Sequence, residues 1–325
     1  TRRLEQAGNE LAVRLTGAYL ELLYSGDQLR LLAAQKSAVL AQMQAAEKAL
    51  AGGSGTRIDV DEAKARYDFI LAQELEASNQ QIHLRRQLGA FVDREVVEIA
   101  GLDIAAFRPV EPVPRDLKEW IETAERNNAE FQAALAQVEA AGQEVAKATA
   151  GHYPTLDFVA SNGRSSNDNV TQLNRFADTD YTTRSYGVQL NIPLVAGGQV
   201  LATTRQARAK LEQARQQAEE RRRNIGVQMG REFDNVTQGI ARIVALERAE
   251  ASARQSVLSA KKGVQAGLRS TLDVLQVEQQ YFTTLRDLAQ SRYAYLIAGL
   301  RMKALAGLLT DADMVALGTQ LATAR

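Results

Sequence analysis

The residue types that most often do chemistry in proteins are scarce in this chain. Its 325 residues include no cysteine and only two histidines, His83 and His152. Disulfides, thiolate catalysis and cysteine-ligated zinc are therefore excluded, and no nucleophile–base pairing or metal-binding cluster is visible. We predict that the protein is not an enzyme and uses no metal or cofactor, with His83 on a helix surface and His152 at the start of a strand.

One glycine-rich segment superficially suggests phosphate binding. Residues 52–56 read Gly-Gly-Ser-Gly-Thr, without the lysine of G-x-x-x-x-G-K-[ST] and without a preceding strand, so we reject a phosphate site. Lys plus Arg equals Asp plus Glu at 39 each, which gives the chain no net charge to attract nucleic acid.

The same segment begins a phrase that occurs twice. Residues 53–60 and 267–274 both fit G-x-x-[ST]-x-[IL]-D-V, at a spacing of 267 − 53 = 214. At that spacing the agreement extends to four further pairs, Tyr19 with Phe233, Ala46 with Ala260, Tyr67 with Tyr281, and Leu71 with Leu285. A period this long indicates a duplicated half-molecule rather than a solenoid repeat, so we expect internal pseudo-symmetry.

Three charged residues in these phrases are candidates for a functional site: Asp59, Arg269 and Asp273. Charge near a helix end is usually solvated, and the two aspartates could also stabilise helix N-termini. Glycine at a helix C-terminus explains Gly53 and Gly267, but we expect it not to explain the Asp-Val that follows. Capping and a functional role both remain open from the sequence.

The five prolines mark the architecture. Three of them fall in a linker at 107–115, and Pro154 and Pro193 flank the only strand-like region. Residues 1–108 and 194–325 contain none, which predicts long uninterrupted helices. We expect helices over 1–51, 59–91, 116–150 and 201–265, and another after Gly267. Trp120 should lie on the buried side of the third, and small residues should form the seam of the fourth, at Ala207, Leu211, Ala214 and Ala218.

Between 154 and 193 the apolar period changes to two. Tyr186, Val188, Leu190 and Ile192 alternate with uncharged polar residues, and 155–161 alternates more loosely. Residues 163–183, rich in Asn, Asp, Ser and Thr, predict a long exposed loop between the two strands. Two strands cannot bury their apolar face alone, so this face should contact other subunits, lipid or both.

The chain resembles the TolC-like outer-membrane channel family, the exit ducts of bacterial efflux pumps and type I secretion systems. The resemblance covers nearly the whole chain. It rests on the duplicated glycine phrase, on His-Tyr-Pro-Thr-Leu at 152–156, and on Ile-Pro-Leu-Val-Ala-Gly-Gly at 192–198. It implies a mainly α-helical fold with a β-hairpin, in which long antiparallel coiled-coil helices form a trimeric tunnel and the strands join a shared outer-membrane β-barrel.

The resemblance also implies a gate. Asp59, Arg269 and Asp273 match residues that close the tunnel tip in the family, where Arg269 would tie two helical pairs through Asp59 and Asp273 would form an acidic ring. Two positions depart from the family pattern. Gln276 stands where a second ring carboxylate is expected, and Val264 where a tyrosine is expected, so the family's gate strength does not carry over to this chain and we expect weaker block by cations.

The glycine phrases resemble the tip turns that face a periplasmic adaptor, with the docking residues Gly53, Gly55, Thr56, Gly267, Leu268 and Ser270. The implied partners are two further copies of the chain, an adaptor, an inner-membrane ABC or proton-driven transporter, and outer-membrane lipid at the strand residues Tyr186, Val188, Leu190 and Ile192. The implied location is the outer membrane, with the tunnel in the periplasm.

The sequence divides into six segments on this interpretation. We assign 1–94 to a first coiled-coil pair, 95–115 to an equatorial region and linker, 116–151 to a tunnel helix, 152–198 to the barrel hairpin, 199–308 to a second coiled-coil pair, and 309–325 to a C-terminal equatorial segment. At a spacing of 214, the counterpart of the hairpin falls before Thr1, so we expect a truncated or processed form. A periplasmic adaptor would need β-rich domains that most of this chain lacks, and a coiled-coil scaffold leaves the strands unexplained.

Overall fold

A computed structural model describes residues 2–97, 99–104, 107–167, 179–194, 197–319 and 321. Its elements, in chain order, are α1 (Arg2–Ala51), α2 (Arg57–Val92), α3 (Leu117–Asn127), α4 (Ala129–Ala150), β1 (Thr155–Asn167), β2 (Thr179–Asn191), α5 (Gln199–Gln265), α6 (Thr271–Leu305) and α7 (Asp311–Thr319). Within those residues, no helix is both long enough and apolar enough to cross a membrane.

The chain divides into two compact units, one of Thr1–Ala133 with Arg221–Arg325 and one of Ala134–Glu220. In the larger unit α1 packs against both α2 and α6. Buried residues of α2 recur at every seventh position, at Ala63, Ile70, Ala77 and Leu84. A seven-residue apolar repeat is typical of coiled coils. Helix α5 contacts α6 through the ion pairs of Lys261 with Glu278 and of Glu247 with Arg292.

Helix α5 is continuous over Gln199–Gln265, which confirms the prediction of one uninterrupted helix. Its buried residues Met229, Val236 and Ile243 also recur every seven positions and join apolar clusters with residues of α6. Along its first part the seam uses small side chains, because Ala207, Ala214 and Ala218 are buried and Leu211 is half-buried, as expected.

The single helix predicted over 116–150 is wrong. Asn128 adopts an extended conformation between α3 and α4, with φ −62° and ψ 118°. Its side-chain oxygen accepts a hydrogen bond from the Phe131 N–H at 3.0 Å and so begins α4, while its amide donates to the Leu305 carbonyl at 2.9 Å. Asparagine is a good N-cap, and this tertiary contact fixes the break. Trp120 is buried, as predicted, and donates to the Pro114 carbonyl at 2.8 Å.

The two strands of the smaller unit pair antiparallel from Thr155↔Asn191 to Asn167↔Thr179. The predicted loop is therefore strand at both of its ends, over 163–167 and 179–183, where Arg164 and Asp180 form a cross-strand ion pair. Next to these ends, Ser161 bonds to Ser185 at 2.7 Å. Polar cross-strand pairs of this kind extend a ladder without any apolar pattern in the sequence. The remainder of that loop, 168–178, lies outside the described residues, as do Val195 and Ala196 of the second strand motif.

Candidate functional site

The two glycine phrases fold into the same turn. Gly53 and Gly267 have left-handed backbones, with φ 75° and 70°, after α1 and α5 respectively. In each turn the next residue donates its N–H five residues back, from Ser54 to the Ala49 carbonyl at 2.9 Å and from Leu268 to the Gly263 carbonyl at 2.8 Å. This is the Schellman arrangement, in which glycine is favoured because it has no Cβ.

Each turn ends in a capping box. Thr56 is the N-cap of α2, and its hydroxyl accepts from the Asp59 N–H at 3.2 Å while the Asp59 carboxylate accepts from the Thr56 N–H at 3.1 Å. Ser270 and Asp273 repeat the pattern at α6, at 3.2 and 2.9 Å. Both aspartates thus occupy the third helical position of a capping box, so the stabilisation of helix N-termini that the sequence left open is present in the structure.

A third turn of the same construction follows α6. Gly307 has φ 67°, and Leu308 donates to the Lys303 carbonyl at 2.9 Å. The Asp313 carboxylate then accepts from the Thr310 N–H at 2.9 Å. The sequence pattern missed this copy because it required Ile or Leu before the aspartate and Val after it, where this turn has Ala312 and Met314. Glycine, Ser or Thr, and Asp at this spacing therefore form a general helix–helix connection in this fold, and the phrase alone does not identify a site.

The pKa of Asp273 is lowered, first by the Ser270 backbone N–H, then by the Ser270 hydroxyl, and further by the charge of Arg269. Hydrogen bonds to a carboxylate favour its charged form. Asp273 is therefore held ionised at the start of α6, where the positive end of the helix dipole also favours negative charge.

Arg269 lies against the end of α5. A Cβ built on Gly263 would come within 3.1 Å of the Arg269 Cγ and 3.2 Å of its Cδ, so the arginine stem lies over that glycine. Among the ion pairs of the described residues, none joins Arg269 to Asp59 within one chain. Gln276 is exposed on α6 and Val264 is half-buried at the end of α5.

Two residues that sequence reasoning missed lie one to two turns further along α6. Glu278 is buried, with 3 % of its surface exposed, and pairs with Lys261 of α5 at 2.7 Å. Its other carboxylate oxygen has no hydrogen-bond partner among the described residues. Gln279 accepts hydrogen bonds from Arg66 of α2 and from Gln35 of α1, the latter at 2.7 Å. The only sequence signal for either is a polar residue in an otherwise apolar stripe.

The strand residues Tyr186, Val188 and Leu190 lie on one face of the hairpin, opposite Ala160, Phe158 and Leu156. All three are exposed in the single chain, Tyr186 with 73 % of its surface. Ile192 is also exposed but follows the last residue of β2, Asn191.

Comparison with known proteins decides the family. Residues 120–308, more than half of the chain, match the outer membrane efflux protein family.

The chain belongs to the outer membrane efflux protein family.

Its relatives include a protease secretion protein and an outer membrane protein. The alkaline protease secretion protein AprF of Pseudomonas aeruginosa is 32 % identical over 315 residues, covering 96 % of this chain and 64 % of AprF. Outer membrane protein TolC of Escherichia coli K12 is 29 % identical over 317 residues, with coverages of 96 % and 64 %. The chain thus spans slightly less than two thirds of the length of both.

A solved structure of the outer-membrane channel OprN superposes with a TM-score of 0.80 at 19 % identity, over 94 % of this chain and 68 % of OprN. At that identity the likeness shows a shared fold. The TolC-like family and the outer-membrane location predicted from the sequence are thereby confirmed.

Proposed function

We propose that the protein is a passive outer-membrane exit duct of a tripartite efflux pump or a type I secretion system, without catalytic activity. The observation that carries this proposal is the match to the efflux family together with the duplicated coiled-coil pairs. AprF, named for alkaline protease secretion, favours a secretion role, which would make the inner-membrane partner an ABC transporter rather than a proton-driven pump.

The functional form is a homotrimer in which the hairpins join one outer-membrane β-barrel. The exposed apolar face of Tyr186, Val188, Leu190 and Ile192 supports this assignment, because a water-exposed face of that kind needs lipid or protein contact. In the larger unit the outer flanks of α2 and α5 also expose apolar side chains, including Leu75 and Ile82 on α2 and Leu258 on α5. These flanks are available to neighbouring copies.

We assign the segments the roles that the sequence suggested, with two helices in place of one after the linker. Residues 1–94 and 199–308 supply the coiled-coil pairs of a periplasmic tunnel, 116–151 adds the helices α3 and α4, 95–115 and 309–325 form the equatorial region, and 152–198 contributes the barrel hairpin. The continuous α5 and the seven-residue repeats of α2 and α5 support the tunnel assignment.

The turns at 52–56 and 266–270 form the periplasmic tip. Asp59, Arg269 and Asp273 gate this tip in the trimer. The three copies of Asp273 form one acidic ring, and a second ring is missing because Gln276 replaces its carboxylate. The hydrogen bonds of Ser270, which lower the pKa of Asp273 within one chain, favour the charged form of such a ring. Docking of an adaptor at Gly53, Gly55, Thr56, Gly267, Leu268 and Ser270 is supported by the exposure of Leu268, 82 % of its surface, beside capped, well-defined turns.

The proposal is tested on the complete protein, purified from membranes in detergent. Light scattering should give a trimer, and planar-bilayer recordings should give discrete single-channel steps. A stable monomer that produces no conductance would refute the exit-duct function. Expression with and without a partner ABC exporter then distinguishes secretion from drug efflux.

A further inference from the structure

The junction between the two helix pairs combines apolar packing with a polar contact. Its apolar part includes Leu275 of α6 with Val39 of α1 and Ile70 of α2. Its polar part, where α6 meets α1 and α2 near the tip, centres on one side chain, Gln279. The oxygen of Gln279 accepts from both Gln35 and Arg66, and its amide donates to Thr283 at 3.2 Å.

Gln279 therefore ties α6 to both helices of the other pair. Gln35 is only 5 % exposed, so its amide depends on a protein partner rather than on bulk water. Immediately beside it, Leu275 of α6 packs with Val39 and Ile70. The tie lies six residues after Asp273, which is about 9 Å along the helix from that residue.

A cavity of about 780 Å³ adjoins the tie. It lies between α1, α2 and α6, and its lining includes several amide side chains, among them Gln28, Gln73 and Gln80, beside the apolar Leu31 and Phe282. A polar cavity of this size can hold water, and water can replace a protein hydrogen bond at little free-energy cost. Water in this cavity could therefore take over the hydrogen bonds of Gln35 and Arg66 if α6 moved away from α1 and α2.

We propose that Gln279 is a positioning residue of the gate, a latch that holds the α5–α6 pair against the α1–α2 pair above the tip. The inference rests on the proposed exit duct. It assigns the tie between the pairs within one chain to the hydrogen bonds of Gln279 with Gln35 and Arg66, in addition to any contact of Arg269 with Asp59 in the trimer. Release of the latch lets α6, and Asp273 with it, move away from the closed position.

Two substitutions with opposite effects on the hydrogen bonds of Gln279 test the latch. Gln279→Leu removes the shared acceptor and should at least double the conductance of the closed channel. Gln279→Glu keeps an acceptor for both donors and adds a charge-assisted bond with Arg66, so its conductance should be equal to or below that of the wild type. Gln280→Leu is the matched control, because Gln280 is the next residue of α6 and is exposed. It should behave as the wild type.

A second measurement does not depend on channel activity. Because the sequence has no cysteine, spin labels can be attached at single introduced cysteines, at Ala65 of α2 and Leu272 of α6, both exposed. Electron–electron resonance should show a longer or broader distance in Gln279→Leu than in the wild type and in Gln279→Glu.

Two results would overturn the latch: an unchanged distance in Gln279→Leu, or equal changes of distance and conductance in Gln279→Leu and Gln279→Glu, which would indicate ordinary packing. If the wild type itself fails to conduct, the exit duct is refuted, while the distances still decide whether Gln279 holds the pairs together.

Discussion

Replacing Ser270 by alanine and Asp273 by asparagine should separate two roles of the second turn, because the first removes a helix cap and the second removes a charge. Ser270→Ala deletes the hydroxyl that accepts from the Asp273 N–H at 3.2 Å and donates to the Asp273 carboxylate at 3.0 Å. Loss of a serine N-cap costs about 1 kcal/mol, which is roughly a fivefold shift toward a frayed helix start. The charge of Asp273 remains.

Asp273→Asn, in contrast, removes the charge and keeps the turn. The side-chain carbonyl of the asparagine can still accept from the Ser270 N–H, which lies 2.9 Å from the Asp273 carboxylate in the wild type, so the turn should keep its geometry. Three charges disappear from the proposed ring of the trimer. Block of the channel by a trivalent lanthanide ion, recorded in planar bilayers, should then require at least a tenfold higher concentration, whereas Ser270→Ala should be blocked nearly as the wild type is.

The pH dependence gives a further check. Because the bonds with Ser270 lower the pKa of Asp273, block of the wild type should persist at a pH where an ordinary aspartate is half protonated. Ser270→Ala loses part of that effect, so its block should fade at a higher pH. If Asp273→Asn is blocked as strongly as the wild type, the acidic ring is wrong. If Ser270→Ala loses block as completely as Asp273→Asn, turn geometry rather than charge is responsible.

Two further outcomes concern stability and are measured by thermal unfolding followed by circular dichroism. Gly55→Ala should lower the melting temperature more than Gly53→Ala. A Cβ at Gly55 would lie 2.9 Å from the Leu50 nitrogen, whereas a Cβ at Gly53 would have no close neighbour and would cost only the left-handed backbone strain of about 1 kcal/mol. Equal decreases in melting temperature would contradict the close approach at Gly55. Lys261→Met should lower the free energy of unfolding by about 2 kcal/mol, because it leaves the buried Glu278 carboxylate unpaired; the loss is smaller than for a fully buried pair, since Lys261 is half exposed. Adding Glu278→Leu to this variant should restore stability. A double variant that is no more stable than Lys261→Met would show that the ion pair itself stabilises the protein.

The long-range organisation was predictable because periodicity and repetition are properties of the sequence itself. The helix ends repeat at the same spacing of 214 residues: α1 and α5 end at Ala51 and Gln265, and α2 and α6 begin at Arg57 and Thr271. The continuous helix α5 was predictable because its sequence contains no proline. Asn128 was not predictable as a helix break, because its amide is fixed by the Leu305 carbonyl, far away in the sequence.

Residues whose roles depend on a partner helix were missed for the same reason. Glu278 reads as a surface charge in the sequence, and its counterpart at a spacing of 214, Lys64, is in fact exposed. Lys261 likewise corresponds to Glu47, so the charges of this pair are exchanged between the repeats, and only the second copy forms the buried pair. Repetition predicts the backbone of the second copy but not which of its polar residues become buried.

The same kind of exchange explains why the second turn, and not the first, can carry an arginine. Gly55 and Arg269 are equivalent positions, as are Ala49 and Gly263. A Cβ at Gly55 would lie 3.0 Å from the Ala49 Cβ, and a Cβ at Gly263 would lie 3.1 Å from the Arg269 Cγ.

In each turn, therefore, the close approach leaves room for a side chain at only one of the two positions. The first copy keeps alanine on the helix and glycine in the turn, whereas the second has glycine on the helix and arginine in the turn. A gate that pairs the cation of one turn with the anion of another needs such asymmetry, because two identical turns would present like charges to each other. Gly263 is thus as necessary to the proposed gate as Arg269, and Gly263→Ala should displace the arginine stem without changing any charge.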